Sequence, residues 1–200
     1  MNISERMKRV MQSEGAAIAQ MAQFPQGQYD DVVNLLASCK GKIVFMGVGK
    51  SGHIGKKLAA TFSSTGTPSF FVHSTEACHG DFGMIERQDI AVLISNSGNT
   101  REVTQTIPFL KNIGCKTIAL TSNIDSDLAK GSDLCLLIPK TREADDLDLA
   151  PTVSSTVTLA LGDAIACTLS TMKGFNRNDF YKYHPGGALG DSLHKEGHDV

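Results

Sequence analysis

The hydrophobic positions of this chain fall into five short continuous runs separated by stretches in which apolar residues return at helical spacing. The runs are Lys42-Ile43-Val44-Phe45-Met46, Ser69-Phe70-Phe71-Val72-His73, Asp89-Ile90-Ala91-Val92-Leu93-Ile94, Lys116 to Leu120 and Asp133 to Ile138, the last broken by Pro139. Each predicts a strand, and the unbroken apolar character of 89–94 predicts burial on both faces, as in a parallel sheet. Between the runs the spacing predicts helices over about 51–64, Glu102 to Asn112 and Ser126 to Ala129. Strand and helix alternate throughout, which points to an α/β sandwich around a parallel sheet.

The flanks are helical as well. Met7, Val10, Met11, Ile18 and Met21 form one apolar face over Ser4 to Met21, and Val32, Val33, Leu35 and Leu36 repeat the pattern over Gln28 to Lys40, with Gly41 as its stop. Residues 1–41 are therefore expected to pack as helices on the core. Beyond the fifth run, Lys140 to Asp148 reads as a solvated charged loop, Thr152 to Lys173 as a long helix and Asn176 to Tyr183 as a last short one. His184-Pro185-Gly186-Gly187-Ala188-Leu189-Gly190 closes that helix, and 194–200 is expected to be a flexible tail.

Three polar stretches follow strands: Gly47-Val48-Gly49-Lys50-Ser51-Gly52-His53-Ile54-Gly55, Ser74 to Met84, and Ser95-Asn96-Ser97-Gly98-Asn99-Thr100. In parallel sheets ligands collect at the carboxyl ends of strands. Glycines in the first stretch let backbone N–H groups converge at a helix N-terminus, where an anion, above all a phosphate, is the natural guest. Gly47, Gly49 and Gly52 also satisfy G-x-G-x-x-G, but the second run ends in His73 with Glu76 a little further on, so the acidic residue of a dinucleotide site is not at the strand end. A P-loop would need glycine at 44, where Val44 stands. A turn that only packs helix on strand stays open. Ser95, Ser97 and Thr100 could ring a phosphate with neutral donors, or Asn99 or Thr100 could serve simply as an N-cap.

Composition narrows the partners. The net charge of −2, without a clustered Lys/Arg stripe, argues against nucleic acid or an anionic membrane surface. No apolar run reaches the ~20 residues that cross a bilayer, and Met1 to Phe24 carries charges unlike a signal peptide. A cytoplasmic protein is expected. Cys39, Cys78, Cys115, Cys135 and Cys167 are odd in number and lack C-x-x-C spacing; Cys115 and Cys135 read as small buried hydrophobes, and Cys78 beside His79 lacks a nucleophile motif.

Gly47-Val48-Gly49-Lys50-Ser51-Gly52 and Ser95-Asn96-Ser97-Gly98-Asn99-Thr100, with the spacing between them, resemble the sugar isomerase (SIS) domain. Thr65-Gly66-Thr67-Pro68-Ser69-Phe70-Phe71-Val72-His73, His79-Gly80-Asp81, Leu149-Ala150-Pro151-Thr152 and the stretch from His184 to Gly190 resemble, more narrowly, the arabinose 5-phosphate isomerases. The resemblance implies a three-layer sandwich with a five-stranded parallel sheet of order 2-1-3-4-5, a SIS domain over 42–193, and a homotetramer with sites at subunit interfaces. It implies conversion of D-ribulose 5-phosphate and D-arabinose 5-phosphate, feeding 3-deoxy-D-manno-octulosonate for lipopolysaccharide or capsule. Many relatives continue into a pair of CBS domains; this chain stops, so their regulation does not carry over.

At matching positions the resemblance implies Lys50, Glu102, Glu143 and His184 as catalytic residues. Glu102 or Glu143 would be the base at carbon, His184 would shuttle protons between oxygens or open the furanose, and Lys50 would offset negative charge. His79 would hold a sugar hydroxyl; Ser51, Gly66, Thr67, Ser95, Ser97 and Thr100 would bind substrate. No cofactor is required, and His73 is implied as a zinc ligand whose metal would inhibit. Without the resemblance, Glu102 reads as a helix-dipole charge, Lys50 as a surface cation, His184 as a cap and Glu143 as part of a solvated run. The alternatives in function are a SIS isomerase for another sugar phosphate and a SIS sensor without turnover.

Overall fold

The computed structural model describes residues 2–24 and 27–196. Two helices, α1 (Ile3–Met21) and α2 (Gly27–Ala37), precede β1 (Ile43–Gly47), which leads into α3 (Gly49–Ser64) and β2 (Ser69–His73). A short α4 (Ser74–Ala77) and a 3-10 turn (Asp81–Met84) precede β3 (Ile90–Ile94). The chain continues through α5 (Arg101–Thr104), α6 (Ile107–Ile113), β4 (Lys116–Thr121), α7 (Asp127–Gly131) and β5 (Leu134–Leu137), then α8 (Val153–Met172), α9 (Arg177–Tyr183) and α10 (Gly187–Lys195). All pairings in the five-stranded sheet are parallel and the order is β2-β1-β3-β4-β5, as the resemblance implies.

Alternation along the strands builds two cores. Ile43 and Phe45 of β1, Ile90, Val92 and Ile94 of β3, and Ile118 and Leu120 of β4 turn to one face, where α3, α8, α2 and the end of α1 cover them. Val44, Met46, Ala91, Leu93 and Ala119 turn to the other, under α4 to α7. The second face carries the smaller Ala91 and Ala119 beside Val44, Met46 and Leu93. Phe45 meets Phe62 of α3 edge-on at 4.9 Å between ring centres. Gly162 of α8 lies against Leu58 of α3: a Cβ there would stand 2.3 Å from a Leu58 methyl, so the helices touch backbone to side chain.

Five expectations change. The helix expected over 102–112 is two, because Pro108 has no N–H for the Thr104 carbonyl and the chain breaks at Gln105 and Thr106. The stretch 74–84 is not plain loop but holds α4 and the 3-10 turn. The stretch read as a terminating loop after His184 starts α10 at Gly187, whose φ of 76° only glycine takes without strain. Helix α10 runs to Lys195, so 194–196 are not a tail; 197–200 lie outside the described residues. Finally, α8 has 20 residues and a mean hydropathy of 1.3, enough by length and composition to cross a membrane, but half of it is buried inside the protein as a core helix.

Candidate active site

The polar turns after β1 and β3 lie side by side, since those strands are neighbours. At the first, Val48 precedes α3 without a side-chain cap, so the first amide N–H groups of the helix are left for an outside acceptor. Gly49 has a φ of 54°, which makes the turn possible. Gly47 and Gly52 serve packing: a Cβ on either would come within 3.2 Å of the other's backbone. The packing reading of this turn is therefore realised, and the uncapped N–H groups leave room for the anion reading. Lys50 is exposed, makes no ion pair among the described residues, and Ser51 is half-buried beside it.

The second turn is tied internally. Ser95 is 2% exposed; its Oγ lies 2.8 Å from Thr100 Oγ1 and accepts the Gly98 N–H at 3.1 Å. The Asn99 N–H donates to Ser97 Oγ at 3.2 Å, leaving Ser97 at the surface. Ser95 and Thr100 thus shape the turn, while its backbone presents Asn96 and Ser97 outward.

A strap over 142–152 forms the opposite wall. The Asp145 carboxylate accepts N–H bonds from Leu147, Leu149 and Ala150, and Asp148, at a φ of 57°, accepts the Glu143 N–H at 2.6 Å and pairs with Arg142. The Glu143 carboxylate folds back onto the start of α8. Its Oε2 accepts from the N–H of Thr152 (2.8 Å), the N–H of Ser154 (3.2 Å) and the Thr152 hydroxyl (3.1 Å), and its Oε1 accepts from the Ser154 hydroxyl. Burial pushes its pKa up, but the Ser154 hydroxyl and then the other three donors outweigh this and hold the carboxyl below its ordinary range. The group is an anion at a helix N-terminus.

Lys50 and Ser51 from the first turn, Asn96 from the second, and Glu143, Asp148 and Ser154 from the strap and α8 line one cavity of about 230 Å3. A larger, apolar groove of about 490 Å3 lies elsewhere, between α1, α2 and α8, with Asp30 as its one charged residue among the described residues. Asn96, Asp148 and Ser154, with Ser155 and Thr158, were not expected at the site. Ser154 could not be found locally, since its carboxylate partner comes from eleven residues earlier rather than three residues later, as in a capping box.

Several expected residues are not brought to this cavity by the single chain. Gly66 and Thr67 precede β2, so they sit at the amino end of the sheet, opposite the turns, where Thr67 is 2% exposed and receives a hydrogen bond from Lys173 at 2.7 Å. Within one subunit their assignment to substrate is corrected by strand direction. Glu102, on α5, is exposed and does not line the cavity; nor does exposed His79. His184 lies beyond α9, stacked on Phe180 at 3.9 Å with its Nδ1 3.0 Å from the Phe180 carbonyl. A carbonyl can only accept, so Nδ1 is the donor in this contact and Nε2 is left to face other partners. His73, at the end of β2, has a buried Nδ1 without a partner, yet no three of His, Cys, Asp and Glu among the described residues gather as a metal set. Cys78 is exposed and touches Gln105 rather than a base, and Cys115 is buried with its thiol pushed up to about 12 by burial, as suits an inert core residue.

The SIS domain family matches residues 35–167, two thirds of the chain and all the residues that line the cavity. The chain belongs to the SIS domain family. This SIS protein is 47% identical over 94% of its length to the arabinose 5-phosphate isomerase KpsF of Escherichia coli, and 49% identical over 93% to the arabinose 5-phosphate isomerase KdsD of Yersinia pestis. It spans 59% and 57% of those two relatives' lengths. Among solved structures, the E. coli CFT073 protein c3406 in complex with arabinose 5-phosphate superposes with a TM-score of 0.90 at 50% identity, covering 92% of this SIS protein and all of that chain.

Proposed function

We propose that this SIS protein interconverts D-ribulose 5-phosphate and D-arabinose 5-phosphate through an enediolate, supplying precursor for 3-deoxy-D-manno-octulosonate in lipopolysaccharide or capsule. The observation that carries the reading is the shared wall of Lys50 and Glu143, a cation and a fixed anion facing one polar cavity next to an uncapped helix N-terminus. The c3406 chain supports it: this SIS protein matches that chain along its whole length, and that chain holds arabinose 5-phosphate without the part that the longer relatives add.

The chemistry divides as follows. The free N–H groups at the start of α3, with Ser51, take the phosphate. A carboxylate, Glu102 or Glu143, removes the proton beside the carbonyl and a proton returns to the neighbouring carbon. Lys50 stabilises the oxyanion that forms between these steps. His184, through its free Nε2, exchanges protons between the sugar oxygens, and His79 holds a hydroxyl. The hydrogen moves between adjacent carbons of one molecule, so the reaction asks for no external oxidant or reductant.

Glu102, His79 and His184 do not line the cavity of their own chain, which supports a homotetramer whose sites are completed by a neighbour. Ile3, Met7 and Met11, exposed in a row along α1, are the apolar surface such an assembly would cover. Zinc at His73 would need ligands from a neighbour or from substrate, and its expected effect is inhibition. A cytoplasmic location follows from the substrate. Incubating the pure chain with ribulose 5-phosphate and following arabinose 5-phosphate tests the reading: alanine at Glu102, Glu143 or His184 should cut turnover ~100-fold. Tight sugar-phosphate binding without product would establish the sensor instead.

A further inference from the structure

Ser154 is 7% exposed, stands in the first turn of α8, and spends both its backbone N–H and its hydroxyl on the Glu143 carboxylate. Its hydroxyl is the donor to Oε1 among the described residues, while three donors share Oε2. Thr152 is less free to act, because its Oγ1 also accepts the Ala144 N–H at 2.9 Å and so holds the strap closed. Both Ser154 and Glu143 line the cavity with Lys50.

We propose that Ser154 is a positioning residue for the isomerase: its hydroxyl fixes the rotation of the Glu143 carboxylate against the cavity wall that Lys50 shares. The inference rests on the isomerase reading for its catalytic consequence and on the hydrogen bonds alone for its geometric one. A carboxylate held through both oxygens cannot swing, so one lone-pair direction remains for substrate. The charged groups that line the cavity with Glu143 are Lys50 from α3 and Asp148 from the strap, the latter already paired with Arg142 and bonded to the Glu143 backbone N–H. What holds the carboxyl below its ordinary range against burial is the set of neutral donors, of which the Ser154 hydroxyl is foremost.

Ser154→Ala should lower kcat about tenfold or more with little change in KM, and move the acid limb of kcat/KM to higher pH. Ser154→Thr, which keeps the hydroxyl, should restore both. Ser154→Cys, close in volume but a weak donor, should behave as the alanine variant and carries the test if alanine disturbs folding. In parallel, the side-chain carboxyl carbon of Glu143 is titrated by 13C NMR, assigned by its loss in Glu143→Gln; its midpoint should rise in Ser154→Ala. Active wild type with unchanged acid limb, kcat and carboxyl midpoint in Ser154→Ala overturns the proposal and leaves the isomerase reading intact. Inactive wild type with a raised midpoint overturns the isomerase reading and supports the hold of Ser154 on Glu143.

Discussion

Arg6, near the start of α1, donates from Nη2 to the carbonyl oxygen of Ala144 at 3.0 Å and pairs with Asp146 at 2.7 Å. A helix outside the sheet thereby clips the strap next to Glu143. The Asp146 side is open to water, so Arg6→Ala should change global stability by less than about 1 kcal/mol. Its effect should be local: amide exchange over 144–150 should quicken while exchange in β1 and β3 stays as in the wild type. Uniform quickening would mean that Arg6 supports the whole fold instead.

Acid stability should depend on Asp133. Burial raises the pKa of this carboxylate, but the Lys116 ammonium and the Thr117 N–H and hydroxyl, at 2.7, 2.9 and 2.9 Å, lower it further than burial lifts it. Its folded value lies below its unfolded one, so the stabilisation is complete above the unfolded value of about 3.9 and is lost as pH falls through the folded value. Asp133→Asn should cost about 1–2 kcal/mol at neutral pH, the low part of the range for bonds to a charged group at a site partly open to water. Denaturant melts between pH 2 and 7 should also show a flatter acid side for the variant.

Gly98 is the tightest point of the second turn. Its φ is 68°, and a Cβ would lie 2.1 Å from the hydroxyl of Ser126, the N-cap of α7. Gly98→Ala should cost about 2 kcal/mol or more, the sum of left-handed strain and the displaced cap. Sugar-phosphate affinity, measured by calorimetry, should fall along with the melting temperature. A variant as stable as the wild type would show that the turn can shift without cost.

His184 owes its orientation to Phe180, through the ring stack and the carbonyl that takes its Nδ1 proton. Phe180→Leu keeps the carbonyl and removes the stack. Turnover should drop severalfold with KM little changed, and the Nε2 resonance of His184 should broaden in 15N spectra as the ring gains freedom. A sharp, unmoved resonance would assign orientation to the hydrogen bond alone.

The sheet was legible because each strand is a continuous apolar run, and the observed strands fall within the predicted runs almost residue for residue. What escaped was decided by single groups. Pro108 split a helix whose apolar spacing runs straight through it, and Gly187 started a helix where Pro-Gly-Gly reads as an ending. The turns at 47–52 and 95–100 stood out as cavity walls through their glycines and hydroxyls, and Lys50, Ser51 and Asn96 do line one. Glu143 did not, because a carboxylate in a charged run looks solvated until the fold brings the start of α8 beneath it. Thr67 was open to correction from the sequence itself: it stands just before the second apolar run, hence at the amino end of that strand and away from the turns.

The contact between Leu58 and Gly162 reaches further than the core. Lys50 rides on the first turn of α3 and Ser154 on the first turn of α8, so the two jaws of the cavity are arms of one hinge pin. At 1.5 Å a residue that pin sits about 12 Å along each helix from its jaw, and a missing methyl group sets it. A larger residue at 162 would open the callipers without touching a single ligand group, and substrates of different girth become reachable by tuning a position that no inspection of the pocket would suggest.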